Sequence, residues 1–164
     1  KLVNLNNYAK LVHDFKKKLN CNIIFEPGRS LVGNTGILVS KIQYIKKGLN
    51  KKFIIIDAGM NDFMRTALYD ARHNIIPIIK TRINNQDPVE FVGPICETSC
   101  KFIQYKKYQK IKEGDFVAIT NVGAYGSSLS SNYNTKPLIA EILAKKNNFK
   151  IIRKKQDLLK LINS

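Results

Sequence analysis

Apolar positions follow two different periods along the 164 residues, and the change of period divides the chain. Across residues 8–19 they recur at Leu11, Val12, Phe15 and Leu19, the spacing of one helical face, with lysines outside it. His13 and Asp14 fall within this helix and read as solvated surface, and Asn20 marks its stop. Residues 21–25 then make a short apolar run with β-branched Ile23 and Ile24, the pattern of a buried strand. Cys21 at its start is expected to be a small buried side chain. Residues 8–25 thus predict an α-then-β unit of an α/β fold.

That run breaks at Glu26-Pro27-Gly28-Arg29. Pro27 fixes its own φ and denies Glu26 the α region, while Gly28 permits a turn and a close backbone approach. Read alone, the tetrapeptide fits a tight turn with a local ion pair as well as a site at a strand's carboxyl end, where α/β folds place their chemistry. Residues 30–36 predict a short helix ended by a glycine. From Gly36 onward the period shifts to two. Residues 37–45 and 53–57 read as a hairpin joined through Lys46-Lys47-Gly48, and short strands follow at 75–79, 89–92, 101–105 and 116–120, punctuated by prolines. Residues 156–162 have the spacing of a closing helix. The predicted class is α+β: the tail of an α/β domain over residues 1–35, then a mostly antiparallel β barrel or sandwich over residues 36–164.

Composition narrows this picture. With 44% hydrophobic residues the chain builds a globular core, and its apolar runs are far too short to span a bilayer. The opening residues carry no signal-peptide pattern and do not begin with Met, which suggests a fragment or a processed chain. The three cysteines match no zinc spacing, and a reducing cytoplasm is the simplest expectation. A net charge of +16 raises nucleic acid as a partner. The lysines, however, are scattered in short clusters at element ends rather than gathered into a stripe. The reading therefore carries no nucleic-acid or membrane partner, and failure to bind a random duplex at low salt would remove the nucleic-acid alternative.

Four segments carry candidate chemistry: Glu26-Pro27-Gly28-Arg29; residues 57–62 (DAGMND) with Arg65 and Tyr69 beyond them; Gly93-Pro94-Ile95-Cys96-Glu97-Thr98-Ser99; and residues 121–128 (NVGAYGSS), running on to Ser131-Asn132-Tyr133-Asn134. Arg65 and Tyr69 are one helical turn apart. Singly, Arg65 fits a surface ion pair, Cys96 a buried strand-end thiol, and Tyr125 a packed tyrosine. In their order and spacing, over about residues 23–141, the segments resemble the pyridoxal-phosphate-dependent decarboxylases built from an alanine-racemase-like barrel and a β domain. Within that group the resemblance is strongest to the diaminopimelate decarboxylases.

The resemblance implies that residues 1–35 are the end of a (β/α)8 barrel and residues 36–164 its C-terminal β domain. It implies pyridoxal 5'-phosphate as cofactor, a small diamino-dicarboxylate as substrate, and L-lysine with CO2 as products. Glu26 would face the cofactor's pyridinium nitrogen, and Pro27, Gly28, Arg29 and Tyr125 would contact the cofactor. Arg29, Arg65, Tyr69, Glu97 and Tyr125 would bind substrate. Cys96 would be the proton donor, since a thiol is largely protonated at neutral pH. The Cys96-Glu97 pair would reach into the other subunit's site, making the enzyme a homodimer. Two departures stand out. Cys100 occupies a place where the family commonly has an acid. The family's cofactor lysine, glycine-rich phosphate loop and barrel histidine have no counterpart here and would lie upstream. Rival readings are a sibling decarboxylase for ornithine, arginine or a carboxylated polyamine, which Cys-Glu rather than Cys-Asp at 96–97 disfavours, and a non-catalytic dimerising relative.

Overall fold

The computed structural model describes residues 4–80, 84, 85 and 87–163. Helix α1 (Leu5–Leu19) starts at Asn4, whose side chain accepts the N–H groups of Asn6 and Asn7, and stops at Asn20 in the left-handed conformation. Leu11, Phe15 and Leu19 of its apolar stripe are exposed and Val12 is half-buried, while the Tyr8 ring lies 6.0 Å from that of Phe25. Residues 21–28 correct the expected strand. A strand needs a partner ladder, and no described strand pairs with this segment, so it runs without regular structure. Cys21 is consequently exposed rather than buried.

Helix α2 (Arg29–Val32) and one 3-10 turn (Gly33–Thr35) lead into β1 (Ile37–Lys47). The remaining strands are β2 (Lys52–Ile56), β3 (Ile75–Pro77), β4 (Asn84–Asn85), β5 (Val89–Val92), β6 (Lys101–Tyr105), β7 (Tyr108–Gln109), β8 (Phe116–Thr120), β9 (Glu141–Lys145) and β10 (Asn148–Arg153), with α3 (Arg65–Tyr69) between β2 and β3 and α4 (Leu158–Ile162) closing the chain. Six strands form the main sheet in the order β3-β8-β1-β2-β5-β6. Every pair in it is antiparallel except β2 with β5. β1 spans two partners: its first half pairs with β8, its second with β2, and the register shifts between Ile42 and Tyr44. Such an irregularity bends a strand, and the sheet wraps around Ile42, Ile54, Ile56, Phe63, Ile75, Val89, Phe91, Val117 and Ile119.

The two sheet edges meet through phenols rather than a backbone ladder. The Ile75 N–H of β3 donates to Tyr105 Oη at 2.7 Å, and Tyr108 Oη donates to the Ile75 carbonyl at 3.0 Å. Burial drives both hydroxyls up from their usual range, so they stay protonated as the bonds require. The β domain is therefore a curled, antiparallel-rich sheet, as the alternation predicts. The β9–β10 hairpin and the small β4–β7 pair were not signalled by the alternation.

What sets the site's position is the contact of α2 and its following turn with residues 121–125. Gly123 N–H donates to the Gly33 carbonyl at 3.0 Å, and Val122 N–H to that of Gly36 at 3.1 Å. A Cβ on Gly123 would lie 2.0 Å from the Val32 carbonyl oxygen and 2.9 Å from Gly36 N. Both are backbone atoms with little room to yield. Gly123→Ala is expected to cost about 1–3 kcal/mol through overpacking, and to displace the Arg29 turn. A denaturant midpoint equal to the wild type would contradict this close packing.

Candidate functional site

The residues singled out from sequence fall into two groups. In the first, Gly28 caps α2 and lies under Tyr125: a Cβ at position 28 would come 3.0 Å from Tyr125 Oη. Tyr125 occupies the left-handed region at φ 56°, a rare setting for an aromatic residue and one that turns the chain sharply. The Arg65 guanidinium stands over two rings, 5.5 Å from Tyr69 and 5.7 Å from Tyr125. Arg65 and Tyr69 share α3, so the expected one-turn relation holds. Arg29 follows Gly28 directly, its Cγ packed where a Cβ on Gly33 would come within 3.2 Å. Glu26 and Pro27 are exposed at the end of the extended segment.

This group is polar and incomplete. Arg65 Nε is buried and has no hydrogen-bond partner. Neither Arg29 nor Arg65 forms a salt bridge among the described residues. A buried cationic donor left unpaired calls for an anion. The Arg65 guanidinium, the Tyr125 phenol, nearby Arg29 and the bare backbone at Gly28 make a donor set that fits anionic phosphate or carboxylate groups.

His73 sits beneath this group, and motif reading did not find it. It is 2% exposed, stacks edge-on to Phe63 at 4.6 Å, and places Nδ1 3.0 Å from the Thr120 carbonyl. Nδ1 therefore carries the proton, and Nε2 has no partner. Burial, then the positive charges of Arg29 and Arg65, pushes its pKa below the ordinary 6.5. Below 6.5 the unfolded chain takes up a proton that the folded chain refuses. Stability is thus full above that value and falls as pH drops below it. The denaturation midpoint is expected to fall between pH 7.5 and pH 5.5, and to fall less in His73→Gln; equal slopes for the two proteins would contradict this.

In the second group, Cys96 and Glu97 are exposed on the turn after β5 and border an open concavity of about 470 Å³ with Phe53, Glu90, Val92 and Lys101. The turn is closed by Cys100 N–H donating to the Glu97 carbonyl at 3.0 Å. Cys100 is buried, its Sγ accepting Met60 N–H at 3.4 Å. It takes a thiol's usual buried role. Residues 59–62 form the platform on which this turn rests. Gly59 N–H donates to Asp62 Oδ2 at 2.8 Å, and burial holds the Asp62 carboxyl above its usual range despite that bond. Glu97 is engaged by Tyr133, whose hydroxyl donates to Oε1 at 2.5 Å. No hydrogen bond, ion pair or ring contact joins Cys96 or Glu97 to Arg65 or Tyr125 among the described residues. No helix among them is long and apolar enough to cross a membrane.

Comparisons with known proteins identify the family and fold. Residues 11–123 match the family model for the pyridoxal-dependent decarboxylase C-terminal sheet domain. The diaminopimelate decarboxylase of Aquifex aeolicus is 40% identical over 149 residues, which is 91% of this chain and 35% of that protein. That of Helicobacter pylori is 40% identical over 156 residues, 95% of this chain and 38% of that protein. A crystal structure of the Helicobacter pylori diaminopimelate decarboxylase complexed with L-lysine superposes with a TM-score of 0.86 at 40% identity, covering 99% of this chain and 40% of that one. The chain thus spans less than half the length of these relatives. It belongs to the pyridoxal-dependent decarboxylases, whose C-terminal sheet domain its curled sheet is.

Proposed function

We propose that this chain is the C-terminal part of a decarboxylase that converts meso-2,6-diaminopimelate to L-lysine and CO2, with residues 1–35 closing the cofactor barrel and residues 36–164 forming the sheet domain. The observation that carries the reading is the convergence of Gly28, Arg65, Tyr69 and Tyr125 around a buried, unpaired guanidinium in a chain 40% identical to diaminopimelate decarboxylases. Pyridoxal phosphate, when bound, supplies an electron sink for the pair left behind as CO2 departs.

The chain's own residues bind, orient and move protons. Glu26 holds the proton at the pyridinium nitrogen. The Gly28 backbone, with Pro27 fixing its approach, and the Tyr125 hydroxyl hold the phosphate, and Arg29 binds at the junction of phosphate and substrate. Arg65 grips a substrate carboxylate through its planar fork, backed by the Tyr69 and Tyr125 rings. Glu97 takes the distal ammonium. Cys96 gives its thiol proton to the substrate carbon that has lost CO2, and is re-protonated from solvent. Among the described residues no hydrogen bond, ion pair or ring contact joins Cys96 or Glu97 to the Arg65 group within one chain. That supports a homodimer in which each subunit supplies this pair to the other's site.

The full-length enzyme is expected to release CO2 from meso-diaminopimelate and to discriminate against ornithine and arginine. Preferential turnover of either would favour the sibling reading, and no CO2 from any of them the non-catalytic one. Cys96→Ala is expected to lower kcat by about 10²–10⁴, the range for a positioned acid, with the cofactor's absorbance retained. An unchanged kcat would remove Cys96 as the donor.

A further inference from the structure

We infer that Tyr133 is a positioning residue for Glu97, orienting its carboxylate toward a substrate ammonium; the inference rests on the reading of Glu97 given above. Glu97 projects from an exposed turn with several free torsions, so a bare carboxylate there would sample many orientations and lose rotamer freedom on binding. The Tyr133 hydroxyl removes much of that freedom by donating to Oε1, from a position 36 residues further along the chain. Oε2 is left for a cationic ligand. The bond also holds the Tyr133 proton in place, because Glu97 raises that hydroxyl's pKa.

The loop carrying Tyr133 is built to hold it there. Asn132 Nδ2 donates to the Lys136 carbonyl at 2.8 Å and to Gln156 Oε1 at 2.6 Å, pinning both ends of the turn. Ser131 N–H donates to the Asn61 carbonyl at 2.9 Å, tying the loop to the platform on which the Cys96-Glu97 turn rests. Asn134 and Thr135 both adopt left-handed backbone, at φ 58° and 56°. For Thr135, a β-branched residue, this conformation is costly, and it persists only where the surroundings impose it. Strain, anchoring and hydrogen bond all converge on the position of one phenol oxygen. A tyrosine serving only to fill space would need none of them, and nearly half of this one is solvent-exposed.

The test uses the full-length, cofactor-loaded enzyme with Tyr133→Phe, Glu97→Gln and the double variant, assayed on meso-diaminopimelate and on 2-aminopimelate, which lacks the distal amine. Tyr133→Phe is expected to raise KM for diaminopimelate about tenfold, the scale of one hydrogen bond to a charged group, with kcat within about twofold. It should leave KM for 2-aminopimelate unchanged, and the double variant should be no worse than Glu97→Gln alone. A structural defect would move both substrates and would add to Glu97→Gln, and either result overturns the inference. So does an unchanged KM in Tyr133→Phe while Glu97→Gln raises it, an outcome that leaves the reading of Glu97 standing. If Glu97→Gln itself leaves KM for diaminopimelate unchanged, the assignment of Glu97 falls and the inference falls with it.

Discussion

Given pyridoxal phosphate and meso-diaminopimelate, these 164 residues on their own are expected to release no CO2 above the background of free cofactor, and to form no stable imine absorbance. Covalent capture of the cofactor needs a lysine whose amine is deprotonated by a desolvated setting. Among the described residues no lysine is buried: every one is exposed or half-exposed. Without that bond the cofactor is neither held nor aligned. Alignment of reactants alone is worth roughly 7–11 kcal/mol of barrier. Arg29, Arg65 and Tyr125 remain in place but have only one wall of a site to offer. Self-association should accompany inactivity. α1 leaves Leu11, Phe15 and Leu19 exposed, and the β9–β10 hairpin leaves Phe149, Ile151 and Ile152 so. Adding the remainder of the enzyme should restore both absorbance and turnover. Clear decarboxylation by the purified chain would sink this view and point to a cofactor lysine among those judged too exposed.

The fold was legible where alternation coincided with burial. Val89–Val92, with Val89 and Phe91 fully buried, carries that pattern, while Phe116–Thr120 is a continuous run with Val117, Ala118 and Ile119 buried; both form strands at the expected positions. The strand expected at 21–25 failed because an apolar β-branched run states only that burial is wanted, not that a neighbouring strand is there to provide it. The hairpin of β9 and β10 was missed for the converse reason. Its residues are nearly all exposed, so no inside–outside alternation marks them, and the signal lay in Lys146, whose left-handed φ of 54° makes the two-residue turn.

The site was legible to the extent that its residues belong to motifs. Gly28, Arg65, Tyr69 and Tyr125 are brought together from three separate stretches, a grouping that periodicity alone could not give. His73 carried no motif. A single histidine between Arg72 and Asn74 looks like surface until the fold buries it beneath two guanidiniums. Tyr133 was visible as part of Ser-Asn-Tyr-Asn, but its contact with Glu97 depends on two left-handed residues that sequence did not announce.

A large effect on substrate binding by the assembled enzyme is expected at Arg65. Replacing it with Met keeps the volume and removes the charge, and losing one partner of a desolvated charge pair costs about 2–5 kcal/mol, or roughly 30- to 5,000-fold in kcat/KM. Because the carboxylate is gripped before and during the reaction alike, most of the loss should fall on KM. Arg65→Lys should recover only part of it. A lysine offers one point charge where the guanidinium presents a planar fork, and it stacks less well on the rings of Tyr69 and Tyr125. The stability readout separates this role from an ordinary surface ion pair. In the ligand-free protein Arg65 Nε is buried without a partner, a donor held at a cost of about 1–3 kcal/mol. Removing it should leave the melting temperature unchanged or raise it while activity collapses. A structural ion pair would behave the other way, losing stability and sparing KM. Loss of stability with KM unchanged in Arg65→Met would therefore return Arg65 to the surface role that its sequence position alone allows.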